Sequence, residues 1–185
     1  MNCMGKYMNR EDRIERFISL WDTYSCGGMA EELVAPLEML GFFDAPASTK
    51  YHGAYDGGLF DHSFAVAEAL VELTGKLNLQ WDREISPVVI GLLHDLCKCD
   101  SYIKLPDGGY KYNDSMLLSG HGDKSVIVAQ SIFDLTDEEI LCIRWHMGAF
   151  DDKSVWGNYT AAIKKYPNVL YTHTADMIAA HVKDV

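Results

Sequence analysis

The chain has 185 residues, 48% of them hydrophobic, which is enough to bury one good core and reads as a single domain. Its 16 basic against 27 acidic residues give a formal net charge of −11, a poor basis for binding duplex nucleic acid through its phosphates. No apolar run is long enough to span a bilayer, and MNCMGKYMNREDRI carries no apolar segment behind a basic start, so a cytoplasmic protein with no membrane partner is expected. Cys3, Cys26, Cys97, Cys99 and Cys142 form an odd set without a disulfide framework and are expected to be reduced thiols.

In chain order, helical apolar spacing first appears over 11–24 (Ile14, Phe17, Ile18, Trp21) and 29–41 (Leu33, Leu37, Leu40). These two segments read as an N-terminal helical extension, residues 1–45, packed on the remainder, residues 46–185. A stretch rich in Gly, Ala, Ser and Tyr from Gly41 to Gly58 separates the two parts. Further helices are expected at 59–76, 86–99, 121–133, 136–147 and 168–183, with Thr136 and Glu139 as a capping box. The alternation and PDGG turn of YIKLPDGGYKYN predict a short β-hairpin at 102–112. The fold class is mainly α.

The segment PVVIGLLHDLCK carries the first chemistry. Ser86 and Pro87 read as an N-cap and first-turn signal. At about 100° per residue, with His94 at the origin, Lys98 falls at ~40°, Gly91 at ~60° and Asp95 at ~100°. The rest of the helix is apolar, so this narrow polar face must look at something inside the protein, where charged groups need a partner or a metal. Other elements also aim polar groups inward. His62 shares a face with Leu59, Val66, Ala69 and Leu70; His146 lines up with Cys142 and Ile143; Asp176 lines up with Val169, Ala179 and Ala180; and His121 opens its helix in LSGHGDKS between two glycines. Any one of these has an ordinary reading as a core histidine or a capping aspartate. One cluster of imidazoles and carboxylates explains them together, and such donors suit Zn, Mn, Fe, Co or Ni.

The ordered series His62, His94-Asp95, His121, His146, Asp176 resembles the HD-domain superfamily of metal-dependent phosphohydrolases over about residues 50–182. YHGAYDGGLFDHS is similar to the entry to the first family histidine, GLLHDLCK to the HD motif with its trailing lysine, and YTHTADMIAA to the segment with the last aspartate. The resemblance implies an HD-type helical bundle in which His62, His94, Asp95 and Asp176 hold one divalent ion. With His121 and His146, Asp95 would bridge to a second. It further implies a water acidified by the ions as nucleophile, with Asp95 and Lys98 as catalytic groups. Lys98 would meet phosphate or the leaving oxygen; its other reading is a snorkelling lysine at a helix end.

The likeness is to the nuclease and phosphodiesterase branch. Met147 stands where that branch tends to show a second consecutive histidine, residues 1–45 do not read as an oligonucleotide-binding barrel, and the chain is acidic. A nucleotide or short oligonucleotide is therefore implied rather than a long nucleic acid. His52 and Lys124 are candidate phosphate contacts, against a loop histidine and a solvated first-turn lysine. Trp156 is a candidate base-stacking ring, against a packing anchor. His173 reads as a possible support for the metal ligands, while Cys97 and Cys99 read as packing residues. Two other functions share the constellation. HD-type di-iron oxygenases use similar ligands, and a non-catalytic nucleotide sensor would keep the fold and the metal.

Overall fold

The computed structural model describes residues 8–185; Cys3 and the first part of the N-terminal extension lie outside them. The architecture is mainly α. Eight α-helices occur among the described residues: α1 (Arg10–Tyr24), α2 (Ala30–Leu40), α3 (Gly58–Leu77), α4 (Ser86–Leu93), α5 (Gly122–Gln130), α6 (Asp137–Arg144), α7 (Trp156–Lys165) and α8 (Asn168–Ile178). Strands β1 (Tyr102–Lys104) and β2 (Tyr110–Tyr112) form an antiparallel hairpin that pairs Tyr102 with Tyr112 and Lys104 with Tyr110. No helix among the described residues is long and apolar enough to cross a membrane.

α1 begins at Asn9, whose side chain accepts from the Asp12 N–H at 2.8 Å. Phe17 and Trp21 of α1 and Leu37 of α2 belong to the same apolar cluster as Leu59, Leu70 and Ile90, so the N-terminal helices share one core with the rest. Arg13 adds a polar tie. Its guanidinium forks onto Asp61 (Nε–Oδ1 2.9 Å, Nη2–Oδ2 3.1 Å), fixing α1 to the first turn of α3, one residue from His62.

α4 is buried along its whole length, as its near-continuous apolar sequence requires. It crosses α3 at Gly91, where an added Cβ would overlap the Ala67 backbone; only glycine lets the two helices approach this closely. Gly91 is thus a helix-crossing residue rather than a member of the polar face. Ser86 is likewise not an N-cap: it is the first helical residue, and its hydroxyl donates to Glu139 Oε1 at 2.8 Å. Glu139 also completes the expected capping box with Thr136 and takes the Arg83 guanidinium, tying the N-terminal ends of α4 and α6 to one carboxylate.

The helix expected over 86–99 stops early. α-helical winding ends at Leu93, Asp95 adopts φ −111° and ψ 19°, and Leu96–Asp100 form a 3-10 turn. The Cys97 N–H donates to Ser125 Oγ at 3.2 Å, so α5 supplies a partner that continued α-winding would have supplied from within. α7 lies where no helix was expected, because Gly157 and Asn158 in its first turn blur the pattern and Ala162 alone of its residues is buried. α8 passes at Ala179 into a π turn, Ala179–Lys183, that ends in left-handed Asp184.

Candidate metal centre

Five elements deliver the candidate ligands to one place. His62 projects from α3, His94 caps the end of α4, Asp95 occupies the break after it, and His121 precedes α5. His146 follows the end of α6, and Asp176 belongs to α8. Backbone contacts set their spacing. Gly91 on Ala67 brings α4 against α3, and Gly122 sits on the Arg144 carbonyl with no room for a Cβ, bringing the start of α5 against the end of α6. Accordingly, the ring centroids of His62 and His94 are 5.4 Å apart, those of His94 and His146 4.8 Å, and those of His121 and His146 4.9 Å.

Asp95 is the centre of the group. Its Oδ1 lies 2.9 Å from His121 Nε2 and 3.5 Å from His146 Nε2; its Oδ2 lies 2.7 Å from Lys98 Nζ, 3.5 Å from His94 Nε2 and 3.7 Å from His62 Nε2. Asp176 Oδ1 approaches His62 Nε2 at 3.1 Å. The opposite nitrogen of each ring is turned outward. Nδ1 of His62 meets the Val185 backbone oxygen at 2.9 Å, that of His94 the Gly91 oxygen at 2.9 Å, and that of His146 the Ile143 oxygen at 2.7 Å. A carbonyl accepts only, so these contacts place the proton on Nδ1 and leave Nε2 facing inward. His121 Nδ1 lies 3.4 Å from the Cys97 sulfur. Of the six buried side-chain atoms without a formed hydrogen bond among the described residues, four belong to this group: His62 Nε2, His94 Nε2, His146 Nε2 and Asp95 Oδ1.

The electrostatics agree with that geometry. Burial would raise the Asp95 carboxyl, but the Lys98 ammonium and the imidazoles of His94 and His121 override it and hold it well below the usual carboxylate range. For Asp176, burial is outweighed by the neighbouring imidazoles of His62, His94 and His146, again favouring the carboxylate. Burial would lower Lys98, yet Asp95 raises it, so the ammonium persists. His94 goes the other way: burial pushes it down to about 3, leaving a neutral imidazole with a free lone pair. α4 and α6 also end here, and helix C-termini carry partial negative charge that favours a cation.

Three overlapping sets, His62–His94–Asp176, His94–Asp95–His146 and Asp95–Cys97–His121, have donor atoms within 4.8 Å of one another, and these buried groups could hold a metal ion. Beside them opens a cavity of about 210 Å³ lined by Asp95, Lys98, His121, Asp176, His52 and the apolar Met147, Phe150 and Met177, among others.

The structure thus brings together His62, His94, Asp95, Lys98, His121, His146 and Asp176, with His52 on the cavity wall and its ring 5.0 Å from that of His62. It does not bring in Lys124 or Trp156. Lys124 is 3% exposed and ion-paired with Asp100, with Met116 sulfur 3.3 Å away; it is neither solvated nor on the cavity. The Trp156 indole donates to the Asp151 carbonyl at 3.1 Å, beyond the cavity lining. His173 supports its neighbours, with Nδ1 2.7 Å from the His146 oxygen. Three contributions escaped the sequence reading: the Val185 carbonyl, the Cys97 sulfur beside His121, and the Phe150 wall. The first two are long-range pairings with no local signal. Phe150 stands in HMGAF, close enough to His146 to have been a candidate.

No family model matches the chain, and no solved structure matches it significantly. Over 74 residues, 38% of this chain, it is 32% identical to the dihydroneopterin 2′,3′-cyclic phosphate phosphodiesterase of Methanocaldococcus jannaschii. That alignment spans 30% of the relative's own length. Over this part of its length, the chain is similar to an enzyme that hydrolyses a phosphodiester.

Proposed function

We propose that the chain is an HD-type, metal-dependent phosphodiesterase acting on a nucleotide or a nucleotide-like small phosphate ester. His62, His94, Asp95 and Asp176 hold one divalent ion, and Asp95, His121 and His146 a second. One observation carries this reading: four buried donor atoms, three imidazole nitrogens and a carboxylate oxygen, converge on one another with no formed hydrogen bond among the described residues. Leaving each such group unpaired costs about 1–3 kcal/mol, a cost that a bound cation removes. The partial likeness to a phosphodiesterase of a cyclic phosphate supports the reaction class.

A divalent transition metal in this position supplies Lewis acidity and lowers the pKa of water. The protein's own groups do the rest. Lys98, 2.7 Å from Asp95 Oδ2 and on the cavity wall, presents its ammonium to a phosphate oxygen or to the leaving oxygen as charge develops there. Met147, Phe150 and Met177 narrow the opening and limit bulk water around the phosphoryl group. The outward hydrogen bonds of His62, His94 and His146 fix their rings, so little reorganisation accompanies ion binding.

The test is metal per chain, by inductively coupled plasma mass spectrometry on untagged protein purified without oxygen, followed by a screen of nucleoside cyclic phosphates and short oligonucleotides. One or two equivalents of metal with phosphodiester turnover is the expected result. No metal even after reconstitution overturns it, and iron with oxygen consumption and no hydrolysis assigns the centre to oxygenase chemistry instead.

A further inference from the structure

A second opening adjoins the candidate centre. It is a cleft of about 760 Å³ lined by Lys50, Tyr51, His52, Tyr55, His181 and Asp184, with Gly53, Ala54 and Ala180. His52, Ala180 and His181 line both this cleft and the 210 Å³ cavity over Asp95, so the two are immediate neighbours. The inner cavity has room for a phosphoryl group and little more, whereas sites for whole small molecules run to about 300–1,000 Å³. Whatever a phosphate there is attached to must extend outward, and the cleft is the adjoining space.

The cleft is built on fixed walls. On one side the Tyr51 N–H donates to Ser48 Oγ at 2.8 Å, Ser48 Oγ donates to the His52 carbonyl at 2.9 Å, and the Ala47 N–H donates to the Gly53 carbonyl at 2.9 Å. On the other, the turn through Asp184 is held by Val185, whose N–H donates to the Ala179 carbonyl at 3.3 Å and whose oxygen accepts from His62 at 2.9 Å. The Tyr55 hydroxyl donates to Asp61 at 3.0 Å, anchoring its ring. Tyr51 differs from these: it is 80% exposed, an aromatic ring displayed from a closed turn. Lys50 and His181 add hydrogen-bond donors, and Asp184 adds an acceptor.

We infer that this cleft receives a flat heteroaromatic ring bearing both donor and acceptor edges, stacked on Tyr51, as the outer part of a substrate whose phosphodiester lies against Asp95 and Lys98. The inference rests on the phosphodiester reading of the inner cavity. A ring of purine type matches the lining: its faces suit tyrosine, and its edges suit Asp184, Lys50 and His181.

The experiment compares wild type, Tyr51→Ala and Tyr51→Phe, all metal-loaded. Two readouts are the ratio of kcat/KM for guanosine 2′,3′-cyclic phosphate to that for ring-free glycerol 1,2-cyclic phosphate, and the affinity for guanosine by titration calorimetry. Tyr51→Ala is expected to lower the ratio by about tenfold, mainly through KM, the scale of one lost stack, and Tyr51→Phe to keep it. An unchanged ratio in Tyr51→Ala overturns the cleft assignment while leaving the hydrolase intact. If wild type turns over neither ester, the phosphodiesterase reading fails and guanosine binding decides: binding weakened by Tyr51→Ala keeps the cleft, and no binding removes it.

Discussion

His62 Nδ1 donates to the backbone oxygen of Val185 at 2.9 Å, joining α3 to the turn after α8 across 123 residues. The bond fixes which nitrogen of His62 faces Asp95 and Asp176. Deleting Asp184 and Val185 frees the ring, and metal affinity is expected to fall by about 10–100-fold, the usual loss when a ligand's outer hydrogen bond is removed. Competition with a chromophoric chelator measures it. Undiminished affinity in the truncated chain shows that the carbonyl does not orient His62.

Asp95 touches all four histidines and Lys98. Asp95→Ala is expected to lose both metal and turnover. Lys98→Ala is expected to keep its metal and lose about 10²–10³-fold in kcat, the scale for removing one transition-state charge partner. Metal analysis beside steady-state kinetics separates the two. Full metal content in Asp95→Ala would end the assignment.

Gly91→Ala sets a methyl against the Ala67 backbone, which side-chain movement cannot relieve. A loss of about 1–3 kcal/mol is expected, as for other overpacked cores, with a lower Tm. Because the clash involves the Ala67 Cα and N as well as its Cβ, adding Ala67→Gly should not restore stability. Rescue by that second change would place the constraint in the side chain instead.

The buried imidazole of His94 gives the metal-free protein an acid-sensitive limb. Its value is about 3 in the folded chain against 6.5 ordinarily, so between those pH values the unfolded chain binds the extra proton. Stability therefore rises with pH across that window, and acidification begins to erode it near 6.5, by up to about 1.4 kcal/mol per pH unit for one site. Asp95 and Asp176, held below their ordinary values, contribute stability above the ordinary carboxylate range and lose it only at lower pH. Thermal melts of metal-free protein from pH 7 to 4 should show Tm falling first on the His94 limb, and His94→Gln should flatten it. A Tm constant down to pH 4.5 contradicts a neutral buried His94.

Several of these features were legible in the sequence because periodicity reports direction. His62, His146 and Asp176 lie on apolar faces of their elements, and such faces point inward wherever the elements end up. The hairpin and the Thr136–Glu139 box were equally local, set by a PDGG turn and a four-residue spacing. Other features depend on what arrives from elsewhere in the chain. Lys124 reads as solvated until Asp100 is brought beside it, 24 residues away in sequence. The break at Asp95 hides inside a helical pattern, since the Ser125 hydroxyl that receives the Cys97 N–H comes from α5.

The Glu139 carboxylate that joins Ser86, Arg83 and Thr136 has a mechanical meaning. α4 and α6 both start at that knot and both end at the histidines, so they resemble the arms of a pair of tongs hinged at one carboxylate. At about 1.5 Å rise per residue the arm from Ser86 to His94 is roughly 12 Å long, and a tilt of ~5° at the hinge carries the imidazole by about 1 Å. That displacement exceeds the difference in radius between common divalent ions, so the Glu139 knot, at the far end of both helices, helps to hold the spacing of histidines it never touches.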